Sequence, residues 1–322
     1  MNITTSLPTS NKSDLALGPT PLRGARIHPG ANSNRDMRRS WGEQFLALDT
    51  KLRSLNGNII HQVWFGTIPN KLAAKKAYKK LAIYRNSWIE KNPDWFRMEW
   101  NKAFSTMLIR KFYPEYLKMF ISYRYEIQRC DMVRYAILHR YGGWYVDMDY
   151  YCNKSLTLAR EKFPASLYLV QSPNGVITQD SDHISNSLMF SIPEHPFWRT
   201  VLLELHENQT KPYYYSQHLT VMMSTGPGLL NRVYSLNKVK YGLKSLPWKL
   251  FHPYGIKDDK LQLKLNDEIY AVHGGKGSWE KHDSKLLLFL LQYWALVLCI
   301  ITILAIPIII PYLRYKFVHA RV

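Results

Sequence analysis

The sequence predicts an α/β fold, a sheet of strands alternating with helices, followed by a C-terminal transmembrane helix. Three observations predict it. Short runs with strand texture at 58–64, 95–100 and 144–148 are separated by stretches of helical period at 71–92 and 127–140. Alternation of that kind belongs to sheets with crossover connections, whose ligand crevice lies beyond the carboxyl ends of the strands. Finally, no charged residue falls between 286 and 306, a length that crosses a bilayer as a helix.

In order along the chain, residues 1–55 read as a disordered basic leader, the first part rich in Ser, Thr, Asn, Pro, Gly and Arg. It holds no apolar core of a signal peptide. A folded catalytic domain is expected over 56–283, a membrane segment over 284–313 and a basic tail over 314–322. The first strand, Asn58-Ile59-Ile60-His61-Gln62-Val63-Trp64, stops at Phe65-Gly66-Thr67-Ile68-Pro69. The Lys- and Ala-rich helix over 71–92 carries Trp88 and Ile89 on its apolar side, and Asn92-Pro93-Asp94 ends it. Residues 95–100 alternate as a second strand. In the helix over 127–140, Ile127, Val133, Ile137 and Leu138 share a buried face, while Asp131 and Arg134 share another. Gly142-Gly143 terminates that helix, and a third strand follows over 144–148. Further strands are expected at 167–171 and 187–192. Tyr312, Arg314, Tyr315 and Lys316 read as an interfacial anchor after the apolar run, with Pro307 and Pro311 kinking its end.

Composition bounds the partners. Lys plus Arg number 43 against 24 for Asp plus Glu in 322 residues, a formal net charge of +19 that favours anionic ligands. The basic residues are scattered and accompany no nucleic-acid-binding motif, so a nucleic-acid partner is not expected. Cys130, Cys152 and Cys299 provide neither a disulfide framework nor a zinc site of usual spacing, and read as free thiols.

The chemistry concentrates in Asp147-Met148-Asp149 after the third strand. Alternation places both carboxylates on one side of the strand, at its carboxyl end. Two carboxylates that close repel unless a cation or a ligand hydroxyl lies between them. A divalent ion there would neutralise a sugar diphosphate and make it a better leaving group. No Ser-His-Asp order, P-loop or Cys-His arrangement offers a competing site.

Taken with its flanks, the sequence resembles glycosyltransferase family 32, whose sugar-binding region contains a DXD motif. The matching pieces are Ile59-Ile60-His61-Gln62-Val63-Trp64-Phe65-Gly66, Ser87-Trp88 with Asn92-Pro93, Cys130-Asp131-Met132-Val133-Arg134-Tyr135 and Gly142-Gly143-Trp144-Tyr145-Val146-Asp147-Met148-Asp149. Ser185-Asn186, His195-Pro196-Phe197, Thr225-Gly226-Pro227 and His273 ahead of Gly277-Ser278-Trp279 follow, so the resemblance covers roughly residues 57–283. It implies a GT-A-type, Rossmann-like domain and retaining transfer from a nucleotide sugar. It implies that Trp64 stacks on the nucleobase, with a core Trp closing the strand as the alternative. Asp131 and Arg134 would recognise ribose or sugar and phosphates, although charges at that spacing ordinarily make a solvated ion pair. Tyr145 joins the nucleotide-sugar site. Asp147 would contact ribose or sugar hydroxyls, Asp149 would ligate the metal directly, and His273 would complete the metal shell. Ser278 and Trp279 would cap the diphosphate, and Asp180 or Asp182, just before the catalytic candidate Asn186, would lie under the sugar, with ordinary loop carboxylates as the alternative.

The implied cofactors are Mn²⁺ or Mg²⁺ and a nucleotide-sugar donor, GDP-mannose. Within the family, a catalytic domain followed by a C-terminal membrane segment resembles inositol-phosphoceramide mannosyltransferase catalytic subunits. That layout implies a sphingolipid acceptor, a single C-terminal span and room for a regulatory subunit. Protein-linked glycans are the alternative acceptor, and a catalytically lapsed membrane scaffold is the alternative role. The family works in the Golgi lumen, and the basic tail agrees with that orientation, whereas the missing N-terminal signal leaves a tail-anchored cytosolic arrangement open.

Overall fold

A computed structural model describes residues 34–66, 71–173, 183–208, 216–253, 266–275 and 293–319. The chain divides into two units, one of residues 1–211 with 221–276, the other of 212–220 with 277–322.

The first unit opens with helix α1, Asn34–Ser54, which overturns the disordered leader over roughly its last two fifths. Polar composition hides the reason. Phe45 and Leu52 recur at helical spacing and are fully buried in the core, and the Asp49 carboxylate accepts from Arg140 at 2.6 and 2.8 Å and from the Tyr141 hydroxyl at 2.7 Å. Strand β1 is Ile59–Val63 and β2 is Phe96–Trp100. Between them the single helix expected over 71–92 is two, α2 at Lys71–Lys80 and α3 at Ala82–Lys91. Leu81 holds φ −87 and ψ 0 at the break and is itself buried. Trp88 is buried while Ile89, expected on the same apolar side, is 48% exposed, because adjacent residues of a helix lie about 100° apart and only one faces the sheet.

Helices α4, Lys102–Phe112, and α5, Leu117–Ser122, lead to α6, Glu126–Tyr141. Strand β3 covers Gly143–Val146 and β4 Tyr150–Cys152. Helix α7, Leu156–Lys162, precedes β5, Leu167–Gln171, and β6, Ile184–Ser191. Helices α8, Phe197–Glu207, α9, Gln217–Ser224, and α10, Pro227–Asn237, come next, then β7, Lys244–Leu246, α11, Trp248–Phe251, and β8, Ala271–His273.

Six strands form one sheet in the order β2-β1-β3-β6-β5-β7. β1 runs parallel to β2 and β3, as crossover connections require, but β6 is antiparallel to β3 and β5. The sheet is therefore mixed. Alternation along the strands feeds two cores: Ile59, Val63, Tyr145 and Leu169 face one layer with α6 and α8, while Ile60, Trp144, Val146 and Val170 face the other with Trp88, Leu156 and Phe251. The sheet is thus covered on both faces and held firmly in the core.

The turn into β3 is held just as firmly. Gly142 and Gly143 have φ +63 and +89, and a Cβ on Gly143 would stand 2.5 Å from the Ile59 carbonyl oxygen. The fully buried His61 pins this turn. Its Nε2–H donates to the Gly142 carbonyl at 3.0 Å, and its Nδ1 accepts from the Trp100 indole at 3.1 Å. A carbonyl only accepts and an indole only donates, so the neutral ring is required. Burial lowers the His61 pKa from 6.5 to about 3. The unfolded chain then takes up the proton first, so the stabilisation is whole above pH 6.5 and drains as pH falls toward 3. Urea unfolding of the wild type should steepen in that window by roughly 1.4 kcal/mol per pH unit relative to His61→Asn. Equal pH slopes in the two proteins would refute this role for His61.

The second unit contains the C-terminal helix Trp294–His319, with Pro307 and Pro311 inside it. The helix runs through most of the expected basic tail. Leu298, Ile300, Ile301, Ile303 and Leu304 are all more than 48% exposed. Among the described residues no helix is long and apolar enough to cross a membrane.

Candidate active site

Asp147 and Asp149 leave the carboxyl end of β3, beside the ends of the parallel β1 and β2. Strand alternation is not what brings them together, since β3 ends at Val146 and residues 147–149 form a tight turn closed by the Tyr150 N–H on the Asp147 carbonyl at 3.1 Å. The turn is anchored by the Asp147 N–H on the Ser187 carbonyl at 2.8 Å and by the Gly274 N–H on the Asp149 carbonyl at 2.7 Å. The second contact comes from the antiparallel β4–β8 pair, whose register sets Tyr150 opposite His273. That register delivers His273 to the carboxylates, and its Nε2 lies 3.2 Å from Asp149 Oδ1. Oxygens of Asp147 and Asp149 and a ring nitrogen of His273 all lie within 4.8 Å of one another, a donor set that fits a divalent cation.

Behind the carboxylates stands a buried polar network. Arg134 reaches Asp131 at 3.0 Å, Asp147 Oδ1 at 3.2 Å and the Asn186 carbonyl at 2.8 Å. The Tyr145 hydroxyl donates to the same Asp147 oxygen at 2.6 Å, and the guanidinium lies 4.6 Å from the Tyr145 ring centroid. Asp131 also accepts from Asn186 at 3.0 Å and from the Thr225 hydroxyl at 2.9 Å. The solvated ion pair that spacing suggests for Asp131 and Arg134 is thus replaced by a buried one. Its cause is α6, which is sandwiched between the sheet and α8, with Tyr135 stacked 5.8 Å from Trp198. The side chains of Asp131 and Arg134 are each 4% exposed and that of Asp147 is 28%, so Asp147 alone of the three faces the crevice.

Burial pushes the Asp131 carboxyl up to about 6, Arg134 opposing the shift. Burial likewise raises the Asp147 carboxyl, again against Arg134. For Arg134, burial works against the charge but Tyr145, Asp147 and Asp131 outweigh it, and its pKa rises. The cation therefore holds the network together.

Trp64 follows β1 at the carboxyl edge, half-buried, its ring 5.9 Å from that of Tyr78. The Asn186 amide donates to Asp131 and, at 3.1 Å, to the Tyr135 hydroxyl, which commits it to the network. Asp180, Asp182, Ser278 and Trp279 lie outside the described residues. Two site neighbours carry no signal in the sequence. The Tyr84 hydroxyl lies close enough to Gly274 that a Cβ there would stand 2.8 Å from it, and Asp149 is among the charges that raise its pKa, after burial. His252 hydrogen-bonds His273.

Comparison with known proteins agrees with this geometry. Residues 79–166, which include the Asp147–Asp149 turn, match the family described as a glycosyltransferase sugar-binding region containing a DXD motif. Matched region and site together define the class, and this chain is a glycosyltransferase carrying that DXD region. Within the class it is similar to two proteins of Schizosaccharomyces pombe. It is 29% identical over 256 residues to inositol phosphoceramide mannosyltransferase 2, covering 77% of this chain and 67% of that protein. It is 31% identical over 241 residues to inositol phosphoceramide mannosyltransferase 3, covering 74% and 60%. This chain thus spans about two thirds or less of the length of those relatives. Among solved structures, the PaToxG glycosyltransferase superposes with a TM-score of 0.39 at 15% identity, over 62% of this chain and 80% of that one. At that score the superposition carries no argument about function.

Proposed function

We propose that this chain transfers mannose from GDP-mannose, with retention of configuration, onto a membrane sphingolipid such as inositol phosphoceramide. The observation that carries the reading is the convergence of Asp147, Asp149 and His273 at the carboxyl edge of β3. The names of the similar proteins supply the sugar and acceptor class. A GT-A-type arrangement suits the parallel β2-β1-β3 half of the sheet, where the crevice lies.

In this reading Asp149 and His273 hold Mn²⁺ directly, imidazole favouring Mn²⁺ over Mg²⁺. Bound there, the ion would screen the diphosphate charge that develops as the sugar leaves. Arg134 fixes one Asp147 oxygen and leaves the other for a sugar or ribose hydroxyl. Trp64, at the neighbouring strand end, offers an aromatic face to the base. Asp182, Ser278 and Trp279 keep their proposed places under the sugar and over the diphosphate. The apolar C-terminal helix is proposed as a single membrane anchor, with the catalytic domain in the Golgi lumen.

The test offers GDP-mannose, UDP-glucose, UDP-galactose and UDP-GlcNAc with Mn²⁺, inositol phosphoceramide or soluble glycans as acceptors, and linkage analysis of the product. Metal-dependent mannosylation of the lipid is the expected result. Transfer to soluble glycans alone overturns the acceptor, and silence with every donor overturns the activity.

A further inference from the structure

We propose that His252 is a positioning residue of the metal site, fixing the ring orientation and tautomer of His273. The inference rests on the reading of Asp147, Asp149 and His273 as a metal site.

His273 Nδ1 lies 3.2 Å from His252 Nε2, while His273 Nε2 faces Asp149 Oδ1 at 3.2 Å. One ring nitrogen points at the carboxylates and the other at His252. The Tyr150 ring stacks on His273 with centroids 4.6 Å apart and planes at 24°, which sets the plane of the imidazole. Stacking does not set which edge faces the carboxylates, because a half-turn about the Cβ–Cγ bond leaves the stack unchanged. The hydrogen bond to His252 removes that ambiguity, since the flipped ring would turn a C–H toward His252.

The same bond selects the proton position. A neutral imidazole that gives the Nε2 lone pair to a cation must carry its proton on Nδ1. His252 Nε2 is the acceptor that holds it there. A partner of this kind raises the basicity of the ligating nitrogen as well as orienting it.

The backbone makes the arrangement rigid. His252 is 6% exposed and caps the short helix α11, its N–H on the Trp248 carbonyl at 2.6 Å. Phe251, fully buried, stacks on Tyr270 with centroids 4.9 Å apart, and the Tyr270 N–H donates to the Leu250 carbonyl at 2.8 Å. Tyr270 leads directly into β8, so His252 and His273 are carried by segments clamped together. The two ring centroids stand 4.7 Å apart with the planes at 86°, and the ring nitrogens meet at 3.2 Å.

The test is Mn²⁺ titration of the whole protein without donor, following free Mn²⁺ by electron paramagnetic resonance. Wild type, His273→Ala, His252→Phe, His252→Asn and His252→Gln are compared, with echo-modulation spectra for coordinated imidazole nitrogen. His252→Phe should weaken Mn²⁺ binding by about 10–100-fold and diminish the nitrogen coupling. His252→Asn, too short to reach Nδ1, should behave like Phe and serves if the Phe variant does not fold. His252→Gln, whose Oε1 can accept from Nδ1, should recover most of the affinity. Wild-type affinity in the folded Phe or Asn variant overturns the proposal, as does a Gln variant no better than Asn. A wild type that binds no Mn²⁺, or a His273→Ala variant that binds it undiminished, overturns the metal-site reading itself.

Discussion

Asp149→Asn is expected to remove metal-dependent donor turnover while leaving the fold intact. The side chain is 15% exposed and faces His273 across 3.2 Å, whereas the contact that tethers β8 runs through its main-chain oxygen, which the substitution keeps. Asn preserves the shape and deletes the charge. Of the three grouped donors two are anionic, so the variant halves the negative charge presented to a divalent ion. Losing the ion forfeits several kcal/mol of stabilisation of the departing diphosphate. An effect of ~4 kcal/mol is about a thousand-fold in kcat/KM. Donor hydrolysis across a Mn²⁺ titration, beside a thermal melt, measures both halves of the expectation. A folded variant within tenfold of wild type would remove Asp149 from the proposed chemistry.

Asp147→Asn provides the contrast. One Asp147 oxygen is already engaged by Arg134 and the Tyr145 hydroxyl, so this carboxylate also serves the network behind the site. The two carboxylates of the motif are therefore unequal, one tied to the scaffold and one to the histidine.

Much of the fold is legible in local pattern, and what is not legible has a common cause. Strands β1, β2 and β5 declare themselves because each is a short apolar or alternating run, and α6 declares itself because apolar residues line it before a Gly-Gly stop. The Asp147–Asp149 pair is visible because its neighbours in sequence are its neighbours in space. Strands β4 and β8 are not. Each has three residues, and they pair only because residues 150–152 meet residues 271–273. His273 can be assigned through the family resemblance but not through spacing, and His252 carries no local signal at all. Helix α1 is hidden by composition, since Phe45, Leu52 and Asp49 anchor it while the surrounding residues look like a solvated leader. The buried state of Asp131 and Arg134 is hidden for a different reason. Their spacing fixes that they meet, but only the packing of α8 over α6 decides whether water reaches them.

That buried pair sets the second large effect, expected in stability as well as in turnover. Arg134→Met should destabilise the protein by about 3–5 kcal/mol near neutral pH, because it removes the cation and leaves an uncompensated carboxylate inside the protein. Asp131 has no route to solvent, since its side chain is 4% exposed and its remaining partners are Asn186 and Thr225. With Arg134 present, burial already holds that carboxyl at about 6, above its ordinary 3.8. Without Arg134 it rises further. A folded pKa above the unfolded one costs stability once the pH exceeds the unfolded value, and the cost grows until the folded group ionises. The destabilisation of Arg134→Met should therefore shrink as pH falls from 8 toward 4, in the opposite sense to the drain caused by His61. Adding Asp131→Asn should restore much of the lost stability, since exchanging both charges for neutral groups is tolerated where removing one is not. It should not restore turnover, because Asp147 still lacks the guanidinium that fixes its oxygen. Urea unfolding of the single and double variants at pH 5 and pH 8, with donor hydrolysis on the same samples, separates the two contributions. A double variant no more stable than Arg134→Met would show that the cation's contribution lies elsewhere than in its pairing with Asp131.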